Sequence, residues 1–353
     1  MDVTVTTPAG TGRGAWPPAF VVRVGRLAVT IALTFLGLLF VTFVIGRVLP
    51  IDPALAILGD RALPHVYERV RHELGLDLPL YHQFWNYLVK ALRGDLGSSV
   101  LTGRPVIADI RQFFPATLEL ATFAIVLGVV LGVPMGVWAA VARGRWPDHL
   151  VRVLVLIGYS VPVFWLGLVG LLLFYARLDL VAGPGRLDVA YEYVVEPWSG
   201  IVLLDSLRAG ELRVFRNALA HIVLPGSILG YLSLAYIARM TRSFMLAELG
   251  QEYVVAARVK GLSEARVIWR HALGNVMVPM VTVIALSYAY LLEGAVLTET
   301  VFAWPGLGLY ITHSLFNADM TAVLGGTLIV GVAFVGLNLF SDVLYTFFDP
   351  RAR

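Results

Sequence analysis

The sequence contains no cysteine and only two lysines, and each scarcity excludes a class of function. Without cysteine, the chain can form neither disulfides nor thiolate metal or redox sites. Neither Lys90 nor Lys260 follows a Gly-x-x-x-x-Gly sequence, so the chain cannot form the phosphate-binding loop of P-loop ATPases. Its histidines lack His-Glu-x-x-His spacing, which argues against a metal site. We therefore expect the chain itself to bind no cofactor.

Charged residues are also scarce. They make up 14% of the 353 residues, against 58% hydrophobic residues, and the mean hydropathy is +0.78. A soluble domain normally carries about a quarter charged residues, so this much apolar surface indicates a protein that lies in lipid. The net charge of +3 is too small and too scattered to predict nucleic-acid binding. A bias of arginine toward cytoplasmic loops accounts for it.

Long apolar runs predict an all-α polytopic membrane protein. A membrane-spanning helix needs about 20 mostly apolar residues. Six stretches satisfy this requirement, at about 27–49, 117–141, 150–176, 219–244, 277–298 and 322–347. The first run is too long for a signal-peptide core and has no small-residue cleavage site, so we expect it to remain as a membrane anchor.

The distribution of arginine and lysine between the spans predicts the orientation. Four groups fall on one side of the membrane if both termini are cytoplasmic. These groups are Arg23 and Arg26; Arg143 and Arg145; Arg258, Lys260, Arg266 and Arg270; and Arg351 and Arg353. The segment 1–20, rich in Pro, Gly and Thr, is predicted to be a disordered cytoplasmic tail. The remainder, 21–353, is predicted to form one transmembrane domain.

Two long segments between the spans are predicted to be structured external loops. The first, about 50–116, has apolar residues at helical spacing in 66–74 and 79–92, which predicts small amphipathic helices. The second, about 177–218, contains Gly183-Pro184-Gly185 and a cluster of aromatic residues. We expect it to cover the external face of the protein.

A charged segment at 252–275 lies between two long apolar runs, within a loop at about 246–276. The pattern predicts one helix at 248–259 and another at 263–275, separated by Gly261, which can take the left-handed conformation that ends a helix. Ser263 is a suitable N-cap, and Glu264 suits the first turn that follows. Ala256, Ala257 and Gly261 form a patch of small residues that another protein could approach closely.

The 252–275 segment resembles the coupling loop of permease subunits of ABC importers. The pattern of that loop is Glu-Ala-Ala, three residues, Gly, nine residues, Ile-x-Leu-Pro. Four positions match it, namely Ala256, Ala257, Gly261 and Leu273. The departures at Val255, His271 and Gly274 indicate the oligopeptide/dipeptide branch. The runs similar to that branch are Glu252-Tyr253-Val254, Arg258-x-Lys260-Gly261-Leu262-Ser263 and Arg270-His271-Ala272-Leu273-x-Asn275.

Other segments are similar to the same branch, so the resemblance covers nearly all of 21–353. They are Leu49-Pro50-Ile51-Asp52-Pro53, Leu74-Gly75-Leu76-Asp77-Leu78-Pro79, Gly94-Asp95-Leu96-Gly97-Ser98-Ser99, Arg104-Pro105-Val106, Pro115-Ala116-Thr117-Leu118-Glu119-Leu120, Ser160-Val161-Pro162-Val163-Phe164-Trp165-Leu166-Gly167, Thr300-Val301-Phe302-x-Trp304-Pro305-Gly306-Leu307-Gly308 and Asp349-Pro350-Arg351. The segment 1–20 and most of 177–218 lie outside the resemblance.

The resemblance implies a type I ABC importer permease in a bacterial inner membrane. It implies that this chain pairs with a second homologous permease, that two cytoplasmic ATPases hold ATP and Mg, and that an external binding protein delivers a peptide. The chain would then be a transport subunit and not an enzyme. The residues that would contact the ATPases are Glu252, Ala256, Ala257, Arg258, Lys260, Gly261, Ser263, Glu264, Arg270 and His271.

Ionisable residues within the apolar runs are few and mark candidate functional sites. Glu293 lies inside the fifth run. It either lines the translocation path, where it would meet a cationic group of the substrate, or is a buried carboxylate bonded to a neighbouring helix. Arg239 and Arg242 lie near the inner end of the fourth run, where we expect them to snorkel or pair at the interface.

Three alternative functions are open to different degrees. Members of the same family also carry nickel chelates, opines, glutathione or modified peptides, and Glu293 does not decide among these. A stand-alone secondary transporter would need inverted repeats and an ion site at mid-membrane depth, and neither is visible in the sequence. An intramembrane serine protease is suggested only by Gly158-x-Ser160, a pattern common in packed membrane helices.

Overall fold

The structure, a computed structural model, describes residues 18–48, 53–59, 63–73 and 75–348. In these residues the chain is almost entirely helical, with no strand and one isolated bridge between Ser98 and Pro105. The helices are α1 (Pro18–Val48), α2 (Pro53–Leu58), α3 (Pro64–Glu73), α4 (Leu80–Leu92), α5 (Val106–Val141), α6 (Trp146–Ser160), α7 (Val163–Gly170), α8 (Val202–Ala209), α9 (Leu212–Glu248), α10 (Glu252–Val259), α11 (Glu264–Arg266), α12 (Leu273–Val301), α13 (Leu307–Phe316) and α14 (Met320–Phe348). The prediction of an all-α chain is confirmed.

Among the described residues, five helices are long and apolar enough to cross a membrane, and there is a sixth crossing if the bent pair α6–α7 counts as one. Most of the spanning helices extend past the apolar runs that predicted them. Helix α5, the second span, begins at Val106, and α9, the fourth span, begins at Leu212. Helix α1 begins at Pro18, so residues 18–20, assigned to the tail, are helical. Proline fits the first turn of a helix because its missing N–H has no partner there. The rest of that predicted tail lies outside the described residues.

The third span, predicted at 150–176, consists of two helices that meet at Val161 and Pro162. The chain bends by 100° between α6 and α7. Val161 is extended, with φ −98° and ψ 127°, because the ring of Pro162 disfavours the helical conformation of the residue before it. After the bend, α7 passes into a π-helical segment, Leu171–Arg177. By contrast, α5 continues through Pro134 as one helix.

The centre of the bundle is the pair α5 and α9. In the apolar 18-residue stretch of α9, 61% of the residues are buried, against 17% in the corresponding stretches of α1 and α14. Helices α1 and α14 therefore lie at the periphery. The two central helices approach closely because glycines face the partner backbone. The glycines concerned are Gly128, Gly132 and Gly136 on α5 and Gly230 on α9. Such small residues four positions apart allow membrane helices to pack by backbone contact.

The α5–α6 turn and the end of α9 are joined by an ion pair. Arg242 donates two hydrogen bonds to Asp148, at 2.7 and 2.9 Å. Asp148 also accepts from the backbone N–H of Gly144 at 3.0 Å. This bidentate arrangement satisfies a buried carboxylate. The expectation that Arg242 pairs is therefore confirmed.

The loops at the opposite end of the bundle are bonded to α5 through its buried polar side chains. Glu119 accepts from Arg186 Nε at 2.7 Å and from Leu203 N at 2.7 Å, which ties down the 177–218 segment. Trp304 donates through its indole N–H to the carbonyl of Ala116 at 2.9 Å. In the 50–116 segment, the predicted short helices are confirmed as α3 and α4. Both segments are therefore structured wherever they are described.

Replacing Gly136 with alanine should destabilise the protein by about 1–3 kcal/mol, the usual cost of overpacking a close contact. The added Cβ would lie 2.6 Å from the carbonyl oxygen of Ala238 and 2.6 Å from Thr241 Cβ. Gly336→Ala is the matched control, because a Cβ there meets nothing within 4 Å. Thermal unfolding of the detergent-solubilised variants measures the difference. Equal midpoints for the two variants would show that the α5–α9 contact can relax freely.

Candidate functional site

The 252–275 segment lies at the end of the bundle that carries the Asp148–Arg242 pair. Helix α9 ends at Glu248, and α10 begins four residues later at Glu252. The second predicted helix, 263–275, is not separate: α11, a π-helical turn at Val267–Ala272 and α12 form one helix from Glu264 to Val301. The segment is therefore one short helix followed by the extended end of a membrane helix.

Gly261 makes the turn between these two helices, with φ +78°. The N–H of Gly261 donates to Arg258 O at 2.9 Å, and the N–H of Leu262 donates to Ala257 O at 3.3 Å. These two bonds form a Schellman motif, which requires the left-handed conformation at the glycine. Ser263 occupies the N-cap position of the next helix, but its side chain makes no capping hydrogen bond.

A small apolar cluster holds α10 against the start of the next helix. Val254, Ala257 and Val267 are its buried members, and Leu249 and Leu262 pack against them. Ala257 is only 8% exposed, so it does not belong to the exposed patch predicted from Ala256, Ala257 and Gly261. Positions three apart on a helix share a face. The face with Val254 and Ala257 therefore turns inward.

Most of the predicted coupling residues are brought together on the outer surface of this segment. Those exposed are Glu252, Ala256, Arg258, Lys260, Gly261, Ser263, Glu264 and Arg270, while His271 is half-buried. Sequence reasoning missed three apolar members of the surface: Val255 is 52% exposed, Val259 82% and Trp269 51%. The four-residue spacing of the two valines could have shown that they share a face.

Polar contacts orient the segment. Arg258 Nε lies 2.9 Å from Glu264 Oε1, but both side chains are largely exposed, so this pair contributes little to stability. Tyr253 donates its hydroxyl to Glu248 at 2.6 Å, across the α9–α10 turn. Burial, together with the hydrogen bond to Glu248, raises the pKa of Tyr253, so its hydroxyl remains protonated and continues to donate.

Glu293 is exposed on α12, and no hydrogen bond or ion pair joins it to another described residue. Within this chain, Glu293 is therefore not a buried carboxylate bonded to a neighbouring helix. That description fits Glu299, which is fully buried and accepts from Thr117 Oγ1 at 2.6 Å and Leu309 N at 3.0 Å. In the part of the chain that the structure describes, no three His, Asp or Glu side chains could hold a metal ion.

Comparison with protein families gives two matches that together cover most of the chain. Residues 132–353 match the family described as "Binding-protein-dependent transport system inner membrane component". Residues 19–121 match its companion family, "Binding-prot-dependent transport system membrane comp, N-term".

Individual proteins are similar over almost the whole length. The probable D,D-dipeptide transport system permease protein DdpB of Escherichia coli strain K12 is 45% identical over 91% of this chain and 94% of its own. The di/tripeptide transport system permease protein DppB of Pseudomonas aeruginosa is 42% identical over 91% and 95%. A solved chain titled "Inward facing conformations of the MetNI methionine ABC transporter" is 19% identical, with a TM-score of 0.49 over 66% of this chain and 93% of its own.

Ala257→Leu should loosen α10 from the membrane helix, because the larger side chain does not fit the cluster with Val254 and Val267. Amide hydrogen exchange across 252–262 should rise in that variant. Ala256→Leu, one position away and exposed, should leave exchange unchanged. Equal exchange in both variants would contradict the packing assigned to Ala257.

Proposed function

The chain belongs to the family of binding-protein-dependent transport system inner membrane components, and we propose that it is the pore-forming permease subunit of an ATP-driven ABC importer that carries di- and oligopeptides. One observation carries the proposal: relatives named as dipeptide or di/tripeptide permeases are 41–45% identical over more than nine-tenths of the chain. Multiple apolar spans and the family identify a multi-pass inner-membrane protein.

The partners in this proposal are a second homologous permease, two cytoplasmic ATPases and an external substrate-binding protein. ATP and Mg are bound by the ATPases, so this chain performs no bond chemistry. The 252–275 segment is the surface on which an ATPase docks. Its exposed valines and tryptophan, ringed by charged residues, support this role, because protein interfaces commonly combine an apolar centre with a polar rim.

The mechanism follows from the continuity of the segment with the membrane helix. ATP binding closes the ATPase pair and displaces α10, which is packed on Val267 at the base of the helix that runs to Val301. A rigid helix then carries the displacement across the membrane and shifts the balance between inward-open and outward-open states. The π-helical turn at Val267–Ala272 lies between the docking surface and the span, a place where such turns often serve function.

The proposed orientation places both termini and the 252–275 segment in the cytoplasm. The loops at about 50–116 and 177–218 are then external, where the binding protein docks. The four groups of arginine and lysine on the inner side support this arrangement.

A non-peptide solute is the alternative cargo, since the permease leaves much of the selectivity to the binding protein. No observation favours an ion-driven secondary transporter.

Gly261→Val should abolish ATP-driven peptide uptake while the protein remains in the membrane. A β-branched residue is strained at φ +78°, and its branches would stand between the segment and the ATPase. Gly261→Asn should retain much more uptake, because asparagine tolerates the left-handed conformation. Uptake of labelled dipeptide into proteoliposomes that hold the complete importer measures both variants.

Gly144→Val is the matched control for this experiment. Gly144 also has positive φ, +74°, at the same end of the bundle, and a Cβ there meets nothing within 4 Å, as at Gly261. We expect it to retain most of the uptake. Normal ATP-driven transport by Gly261→Val, or an equal loss in the two valine variants, would count against the docking role.

We further propose that Glu293 lines the translocation path and meets the amino terminus of the peptide. An unpaired carboxylate in a membrane span usually faces a cavity or a partner. Glu293→Gln, which keeps the shape but removes the charge, should lower dipeptide uptake several-fold. Glu293→Asp, which keeps a carboxylate at the same position, is the control and should retain much more uptake. If the Glu293→Gln variant takes up every tested peptide as fast as the wild type does, Glu293 has no role in the translocation path.

A further inference from the structure

Two arginines one helical turn apart on α9 have different partners. Arg242 is paired with the carboxylate of Asp148. Arg239 has no carboxylate partner among the described residues. Its guanidinium instead lies over two aromatic rings, 4.9 Å from the centroid of Tyr159 and 5.6 Å from that of Tyr236. Of the two alternatives expected for these arginines, snorkelling or pairing, pairing is confirmed for Arg242 only.

Arg239 lines a cavity of about 350 Å³ between α6, α9 and α12. This volume is near the lower end of the usual range for small-molecule sites, about 300–1,000 Å³. Other residues that line the cavity include Tyr159, Tyr236, Ser287, Tyr290 and Gly294. Glu293 precedes Gly294 on α12 but is not one of the residues that line the cavity. A compact ligand in the cavity would therefore meet the cation of Arg239 among aromatic rings and serine hydroxyls.

The chemistry of this cavity favours an anionic group with planar geometry. Ionisable side chains within membrane spans are costly, and they persist where they face a cavity or a partner. The rings of Tyr159 and Tyr236 compensate part of the guanidinium charge through their faces. The N–H groups at the edge of the guanidinium are left for a ligand. Their fork matches a carboxylate in a bidentate arrangement.

We propose that Arg239 binds the C-terminal carboxylate of the peptide as it passes through the permease. The inference rests on the proposed function and adds a substrate-contacting residue to it. A dipeptide is about 7 Å long when extended, short enough for one cavity of this volume. Helix α9 ends at Glu248, and Arg239 lies one helical turn farther from that end than Arg242. A lipid phosphate at the membrane surface is therefore less accessible to Arg239 than to Arg242.

The test is saturation-transfer NMR with the complete importer, free of binding protein and nucleotide, in phosphatidylcholine nanodiscs. The probes are L-alanyl-L-alanine and its D,D isomer, each compared with its C-terminal amide. The wild type should bind at least one free acid roughly tenfold more tightly than the amide, since a charge-assisted pair is lost in the amide. Arg239→Gln should abolish this preference, and Arg239→Lys should restore part of it.

Arg216→Gln is the matched control, because it makes the same change on the same helix, at an exposed position beyond the cavity. It should keep the preference for the free acid. The proposal is overturned if wild type and Arg239→Gln prefer the free acid equally, or if Arg239→Gln weakens acid and amide alike. It is also overturned if neither free acid binds to the wild type.

Two other binding partners of Arg239 would give different experimental results. Native mass spectrometry in nanodiscs with phosphatidylglycerol would show loss of a retained lipid in Arg239→Gln if a lipid phosphate is the partner. Loss of the second permease on purification would assign the arginine to a carboxylate of that subunit. Either result, with dipeptide binding unchanged, overturns the proposal.

Uptake by the same importer, reconstituted with its binding protein, separates this inference from the proposed function. If the wild type transports neither dipeptide under ATP, the proposed function itself fails. If the wild type transports dipeptide and Arg239→Gln matches it in both uptake and acid preference, only the role of Arg239 fails.

Discussion

The close contact between α5 and α9 is the constraint on which the rest of the structure depends. In lipid, apolar side chains gain little by leaving the solvent, so helices associate through backbone proximity and dense packing. Gly132 and Gly136 bring α5 against the carbonyl groups of Leu234 and Ala238 on α9. The other contacts attach to these two helices: the Asp148–Arg242 ion pair joins α9 at one end, and the loops bond to α5 at the other.

Buried carboxylates connect the loops to this centre. An ionised group without partners is expensive to bury, and here the loop backbone supplies the partners. Glu119 binds Arg186 and Leu203 N, and Glu299 binds Thr117 and Leu309 N. Removing either carboxylate would leave several donors unpaired in an apolar region. The loops can therefore keep a defined shape at the surface from which, in the proposed function, substrate arrives.

The 252–275 segment joins a local turn at Gly261 to a helix that continues through the membrane. Gly261 fixes the angle between α10 and the next helix, and the cluster around Val254 and Val267 holds that angle. Because the second helix continues to Val301, the segment cannot move without moving a membrane helix. The bend at Val161 has the opposite effect, since it divides the third span into two pieces that can be placed independently. One span is therefore continuous with the proposed docking surface, and another is interrupted.

The amino-acid sequence was enough to predict the number and approximate places of the spans, the turn at Gly261, the helices α3 and α4, and the family. These follow from composition, from local conformational preference and from motif spacing, which act within a few residues. Three features could be seen only in the folded chain: Ala257 faces inward while Val255 and Val259 face outward, the third span bends by as much as 100°, and Arg242 has a carboxylate partner whereas Arg239 has none among the described residues. The reason is distance along the chain: Arg242 and Asp148 are 94 residues apart, and Thr117 and Glu299 are 182 apart. Which helix face is buried, and which charge is paired, is set by the packing of elements that no local pattern brings together.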